Sequence, residues 1–191
     1  MLDAILSPER EYRYYSFNSR WAPGEMMASM CNGSGDEYFI LFDTNGAAIK
    51  GFDHESVLSP WASDPPLVWP GVYDSLPAEL SSFRNDPAFS MDNVTFCIWR
   101  RYGDVAWQCG VAEFPEGGDA DGSEWMLQIL DDDPMTYQEF ARDYFDRDLP
   151  REAIAQVYAL KPLTDNVVRS LNDEIALADL AADIDEIGYP R

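Results

Sequence analysis

Hairpin signals fill the first part of the chain, and helical patterns fill the last part. Tyr38 to Phe42 is a short apolar run, and the turn sequence at 43–46 ends in Asn-Gly, the strongest two-residue hairpin signature. Strands first and helices last, without alternating βαβ units, are typical of an α+β domain. We therefore expect an antiparallel sheet built from two hairpins plus a further strand, with short helices interspersed and a helical C-terminal region.

The turn also predicts the register of the first hairpin. With Asn45 and Gly46 as the two loop residues, the return strand runs from Ala47 to about His54. The opposed pairs are then Phe39 with Phe52, Phe42 with Ile49, and Glu37 with His54.

A second hairpin is predicted between Val94–Arg100 and Val105–Val111. A three-residue loop pairs Cys97 with Cys109, whereas a Gly-Asp loop pairs Ile98 with Cys109. We choose the Gly-Asp loop because it gives the better contacts. After a loop from Pro115 to Ser123, Trp125 to Leu130 is predicted as a fifth strand.

Helical signals occur on both sides of these strands. Pro23 precedes a methionine stripe, Met26, Met27 and Met30, which predicts a short helix ending at Asn32-Gly33. Further helices are predicted from capping and proline signals. They start at Thr136, which forms a capping box with Glu139, at Pro150 and at Thr164, with a break at Asn172-Asp173.

Length favours a single domain over residues 1–191, in which 134–191 is a possible helical C-terminal subdomain. The Pro- and Trp-rich connection from Ser59 to Pro77 is long for a compact domain, so it is either a lid or an irregular wrap held by Trp61 and Trp69. We favour the wrap.

The chain is strongly acidic, with 35 Asp and Glu against 13 Lys and Arg and a formal net charge of -22. Such a field repels nucleic acid and anionic membranes and attracts cationic partners. An acidic N-terminus without a long apolar stretch is unlike a secretory signal, and Cys31, Cys97 and Cys109 lack disulfide or zinc spacing. We expect a cytoplasmic protein without membrane spans, and no oligomeric state is predicted.

Catalytic signals are weak. His54 is the sole histidine, and Asp53 and Ser56 are near it in sequence, but the sharp elbow that exposes a nucleophilic serine is missing. We predict a structural histidine paired with Glu37 and name no catalytic residue.

Two acidic segments have some of the features of cation sites. The loop around Asp119 and Asp121 lacks both anchor ligands of a calcium-binding EF-hand, and Asp131, Asp132 and Asp133 are placed to complement a helix N-terminus. No metal site or cofactor is predicted.

The acidic surface is the remaining functional lead. Small acidic bacterial immunity proteins are similar in size and charge, so we expect a non-enzymatic, immunity- or inhibitor-like protein that docks on a basic protein. The alternative is a small cytosolic hydrolase using carboxylates or His54 in a pocket beside the Pro/Trp-rich connection. The predicted partner-binding residues combine acids with two aromatic anchors: Asp119, Asp121, Trp125, Asp131, Asp132, Asp133 and Tyr137.

Overall fold

A computed structural model describes residues 1–113, 115 and 118–191. The predicted α+β class is confirmed, because an antiparallel sheet of six strands is combined with a helical C-terminal region. The strands follow one another across the sheet in chain order: β1 (Tyr15–Ala22), β2 (Glu25–Cys31), β3 (Glu37–Phe42), β4 (Gly46–Phe52), β5 (Phe96–Arg101) and β6 (Gln108–Cys109).

The described residues form seven α-helices, joined in places by single turns of 3-10 helix. They are α1 (Leu2–Leu6), α2 (Ser81–Asn85), α3 (Ser123–Leu127), α4 (Pro134–Phe145), α5 (Arg151–Tyr158), α6 (Asp165–Leu171) and α7 (Ala181–Ile187). Across the described ranges, no helix is long and apolar enough to cross a membrane. The predicted loop from Pro115 to Ser123 lies partly outside the described residues, at Glu116 and Gly117.

The chain divides into two compact units. One combines residues 1–19 with 127–191, and the other comprises residues 20–126. The first unit has a core of α1 and C-terminal helix residues, such as Ile5, Ile154 and Val168. The core of the second unit is formed by one face of the sheet and the segments that cover it, and includes Phe83, Phe89 and Trp99.

The first hairpin forms, but its predicted register is wrong by two residues. Glu37 lies opposite Phe52, and Phe39 lies opposite Lys50. The Asp43 carboxylate accepts hydrogen bonds from the backbone N–H groups of Asn45 and Gly46, which places the turn one residue earlier. Gly46 belongs to β4 and pairs with Arg101 of β5, and a side chain does not fit there because a Cβ would lie 2.1 Å from the carbonyl oxygen of Arg100.

The two pairs predicted with that register are therefore also corrected. Phe42 lies opposite Ala47 instead of Ile49, and Glu37 does not pair with His54. A shift of two residues leaves every side chain on its original face of the sheet. The pattern of buried residues is consequently kept while the cross-strand partners change.

The second hairpin has the chosen register, with Ile98 opposite Cys109 and Trp99 opposite Gln108. The environments of its thiols differ. Cys97 is buried and its burial raises the pKa of the thiol to about 12, whereas Cys109 is exposed. The hairpin pattern predicts that both thiols are more than half buried, which is correct for Cys97 and wrong for Cys109, because β6 has only two residues and lies at the edge of the sheet.

One predicted helix is a strand, and one predicted strand is helical. The methionine stripe lies in β2, not in a helix, and the apolar run from Trp125 to Leu130 is α3 followed by a 3-10 turn, not a strand. Met27 and Met30 point to opposite faces of the sheet, and both are buried. Two buried residues three positions apart are also what a helix would show, which is why the pattern is misleading.

The C-terminal helices begin and end close to their predicted limits. Thr164 caps α6 by accepting a hydrogen bond from the N–H of Val167, and α6 ends before Asn172 as expected. For α4 the cap is Asp133, which accepts from the N–H of Met135, so the predicted cap at Thr136 is wrong by one turn.

The connection from Ser59 to Pro77 is irregular apart from a 3-10 turn at Pro60–Ala62. Its two indoles donate hydrogen bonds, Trp61 to the side chain of Asn93 and Trp69 to the carbonyl of Glu113. These bonds support the wrap interpretation.

A charged side chain is buried in the middle of the sheet. Lys50 of β4 has a fully inaccessible side chain, and its Nζ donates to Glu37 Oε1 at 2.8 Å and lies 5.4 Å from the centre of the Phe39 ring. Burial lowers the pKa of Lys50 below its ordinary value, against the opposing effect of Glu37.

Candidate functional site

Three loops of the second unit line a recess of about 520 Å³ that is open to solvent. They are the β2–β3 loop, the turn after β4 and the segment before α3. Four carboxylates line the recess, those of Asp36, Asp53, Glu55 and Asp119. The apolar part of the lining comes from Val57, Pro115, Ala120 and Trp125.

The β2–β3 loop holds Asp36 in place through Asn32. The Asn32 side chain accepts from the N–H groups of Ser34 and Asp36, and its amide donates to Asp36 Oδ2 at 2.5 Å. Because Asp36 directly precedes β3, these bonds fix its carboxylate at the end of the sheet. Only 9% of its side chain is exposed.

The turn after β4 supplies Asp53, Glu55 and Ser56. Asp53 Oδ1 accepts from the N–H of Glu55, and the carbonyl of Asp53 accepts from the N–H of Ser56. The Ser56 hydroxyl donates to the carbonyl of Ala120 at 2.7 Å and accepts from the N–H of Leu58. Ser56 therefore links two walls of the recess, and its hydroxyl already has one acceptor and one donor as hydrogen-bond partners.

The third wall is built around Asp119 and Trp125. Both oxygens of Asp119 accept backbone N–H groups at the start of α3, those of Glu124 and Trp125. The Trp125 indole donates to Asp53 Oδ2 at 3.1 Å and is 41% exposed. Gly122 permits this approach, because its φ is +78° and a Cβ would lie 2.6 Å from Asp53.

His54 contacts the recess through Asp36. Its Nδ1 is hydrogen-bonded to Asp36 Oδ1 at 2.6 Å, and its backbone N–H donates to the same oxygen at 2.9 Å. The hydrogen bond to Asp36 raises the pKa of His54, and the negative charges of Glu55 and Asp53 add to the effect. Burial acts to raise the pKa of Asp36, but the hydrogen bonds from His54 and Asn32 outweigh it and hold that pKa below its ordinary value.

The structure brings together some of the residues predicted for partner binding. Asp119 and Trp125 both line the recess. Asp121 lies in the same segment, where its carboxylate accepts from the N–H of Ser123 and its carbonyl accepts from the hydroxyl of Thr95.

The other predicted binding residues belong to the first unit. Asp131 accepts hydrogen bonds from the N–H of Asp133 and the hydroxyl of Thr136, and Asp133 accepts from the N–H of Met135 at the start of α4. All three acids of this cluster are exposed. Tyr137 is predicted as an exposed aromatic anchor for the partner, and this prediction is wrong. Its ring is buried, and its hydroxyl donates to the buried carboxylate of Asp3.

Sequence reasoning did not assign Asp36, Asp53 or Glu55 to a binding site. A signal was present, because all three are acids at the ends of the strands of the clearest hairpin. The predicted pairing of His54 with Glu37 differs by one residue from the observed contact with Asp36.

Comparisons with protein-family models, with curated proteins and with solved structures gave no match for this chain. Function is therefore inferred from the geometry of the recess.

Proposed function

We propose that this chain is a non-enzymatic binding protein that docks on a cationic protein, and that the recess receives a basic side chain of the partner. The observation that carries the proposal is the convergence of Asp36, Asp53, Glu55 and Asp119 around a half-exposed indole. The protein would act in the cytoplasm, in the manner of an immunity or inhibitor protein.

The lining suits a guanidinium group. Carboxylates accept the N–H groups of arginine in charge-assisted hydrogen bonds, and an indole face attracts a cation by a further 0.5–2 kcal/mol or so. Glu55 and Trp125 are exposed, so both can be reached from solution. The guanidinium group would not need to insert deeply, because the recess is open to solvent.

The charge of the whole chain supports the same partner. A formal net charge of -22 accelerates association with a basic surface and opposes the approach of nucleic acid. The recess would then bind one basic side chain of the partner specifically, which long-range charge attraction alone does not do.

The cluster formed by Asp131, Asp132 and Asp133 is the weaker candidate. Two of its three carboxylates accept hydrogen bonds at the start of α4, which accounts for their presence without a partner. We therefore place docking at the recess and treat this cluster as helix-capping chemistry.

The hydrolase alternative has less support. The Ser56 hydroxyl donates to the carbonyl of Ala120 and accepts from the N–H of Leu58, so it is not bonded to His54. The bond between His54 Nδ1 and Asp36 has the form of the acid–histidine pair of a triad, but Ser56 would have to leave both of its partners to become a nucleophile activated by the other ring nitrogen.

Binding of fluorescent hexa-arginine and hexa-lysine peptides tests the proposal. We expect the arginine peptide to bind more tightly at physiological salt, and Glu55→Gln combined with Trp125→Ala to weaken it at least about tenfold. The control is the triple replacement of Asp131, Asp132 and Asp133 by Asn, which removes more charge but leaves the recess intact.

Equal weakening by the control and the recess variant would mean that only net charge matters, and the proposal would fail. A partner captured from cell extract at low salt supports it only if the recess variant loses that partner while the control retains it.

A further inference from the structure

The two ends of the first hairpin bring three metal-ligating side chains together. Asp36 directly precedes β3, and Asp53 and His54 directly follow β4. One ligand atom from each of the three lies within 4.8 Å of the other two. We propose that Asp36, Asp53 and His54 bind a divalent transition-metal ion of the Zn²⁺ type, a role that goes beyond docking and uses two of the recess carboxylates.

The distances require only a small adjustment. Zn²⁺ binds nitrogen and carboxylate oxygen at about 2.0–2.2 Å, so tetrahedral ligand atoms lie roughly 3.3–3.5 Å apart. A pair of ligand atoms at the 4.8 Å limit would have to close by about 1.5 Å, through rotation of Asp53 or His54. Both of these side chains are at least partly accessible.

The hydrogen bond between His54 and Asp36 already brings two ligand atoms together. Nδ1 and Oδ1 are 2.6 Å apart, so they would separate by roughly 0.7–0.9 Å as a metal ion takes the place of the proton between them. The imidazole packs over Gly35, where a Cβ would lie 3.4 Å from His54 Cγ, so the ring has a defined support.

The charges and donor types favour zinc over calcium or magnesium. One imidazole nitrogen with two carboxylates neutralises a dication, whereas Ca²⁺ and Mg²⁺ prefer six or more oxygen ligands. Glu55 and Asp119 line the adjoining recess and leave the local field negative. Within the described part of the chain, this group alone brings three such ligand atoms so close together.

Because His54 is the only histidine, its imidazole is an unambiguous reporter. The experiment is a titration of ¹⁵N-labelled protein without a histidine tag, using zinc chloride and observing the imidazole nitrogen signals. We expect these signals to shift and to saturate at one equivalent of Zn²⁺, with no such shift for equimolar Mg²⁺.

Cobalt chloride provides a second, optical measurement of affinity. We expect visible absorption of bound Co²⁺, a loss of affinity of at least about tenfold for Asp53→Asn and His54→Gln, and less than a twofold change for Asp74→Asn. Asp74 is exposed and lies outside the recess, so this control removes the same charge.

The proposal is overturned if Zn²⁺ leaves the His54 signals unmoved, including the case in which the metal binds at exposed Cys31 or Cys109. It is also overturned if Mg²⁺ moves the signals equally. The signals come from unaltered protein, so a variant that fails to fold does not prevent a decision. Peptide docking without zinc binding would refute this site while leaving the proposed function intact.

Discussion

The buried pair of Lys50 and Glu37 gives a prediction in which the two partners are not equivalent. The Lys50 side chain is fully buried, whereas 25% of the Glu37 side chain is exposed. Removing the carboxylate leaves an ammonium without its ionic partner inside the sheet. Removing the ammonium leaves a carboxylate that can turn toward water. We therefore expect Glu37→Gln to destabilise the fold far more than Lys50→Met.

The magnitudes follow from two limits. An unpaired buried charge costs about 3–5 kcal/mol. Lys50 can avoid this cost by losing its proton, which at pH 7 costs at most about 4.6 kcal/mol for a group with an ordinary pKa of about 10.4. We expect Glu37→Gln to lower the free energy of unfolding by about 3–4 kcal/mol, and Lys50→Met, which fills the same volume with apolar atoms, by about 1 kcal/mol or less.

Urea denaturation of the full chain measures these values, and the double variant completes the cycle. In a chain that already carries Lys50→Met, replacing Glu37 should cost almost nothing, because no buried ammonium remains. A loss below about 1 kcal/mol for Glu37→Gln, or a larger loss for Lys50→Met than for Glu37→Gln, would refute the reasoning.

The pH dependence has a defined sign. Because burial lowers the pKa of Lys50 in the folded state, the unfolded chain binds more protons at this residue between that pKa and about 10.4, so the contribution of Lys50 to the free energy of unfolding rises with pH across this interval. The buried Cys97 thiol, whose pKa is raised, acts with the opposite sign, so the contribution of Lys50 is the difference between the unaltered protein and Lys50→Met. In Glu37→Gln the folded-state pKa of Lys50 falls further, so the rise should begin nearer to neutral pH. Urea denaturation of these proteins at several pH values between neutrality and about pH 10 tests this, and a difference that does not change with pH would contradict it.

Three further predictions concern buried positions. Gly51→Ala should lower the unfolding free energy by about 1–3 kcal/mol, measured in urea, because a Cβ would lie 2.1 Å from the Phe96 ring. Tyr137→Phe should cost about 1–3 kcal/mol in the same assay, because it leaves the buried Asp3 carboxyl short of a donor. Cys97 should react with a thiol reagent only after denaturation, unlike the exposed Cys31 and Cys109, and fast reaction of Cys97 itself in the native protein would contradict its burial.

Local signals predicted the presence of elements whose causes are local, although the hairpin turn was placed one residue too late. The turn at Asp43 and the helix that begins after Thr164 each depend on side chains within a few residues of the backbone groups they bind. The helix predicted at the methionine stripe failed for a non-local reason. Met27 and Met30 lie on opposite faces of β2 and are both buried, so their burial does not alternate, and pairing with the neighbouring strands keeps the segment extended.

The strand predicted from Trp125 to Leu130 failed in a related way. A short apolar run does not distinguish a buried strand from a short helix. Here the Asp119 carboxylate accepts the N–H groups of Glu124 and Trp125, which begins the helix, and the indole of Trp125 is held by Asp53 from a distant part of the chain.

The candidate site depends on the register that the sequence did not resolve. In the predicted register Glu37 faces His54. In the observed register Glu37 faces Phe52, and continuing the pairing beyond the strand ends sets Asp36 beside Asp53 and Gly35 beside His54. The glycine leaves room for the imidazole, and the imidazole then reaches Asp36. A shift of two residues leaves burial unchanged, so hydrophobic pattern could not reveal it. The hydrogen bonds from the N–H groups of Asn45 and Gly46 to the Asp43 carboxylate hold the turn of this register, and the register determines which acid meets the only histidine.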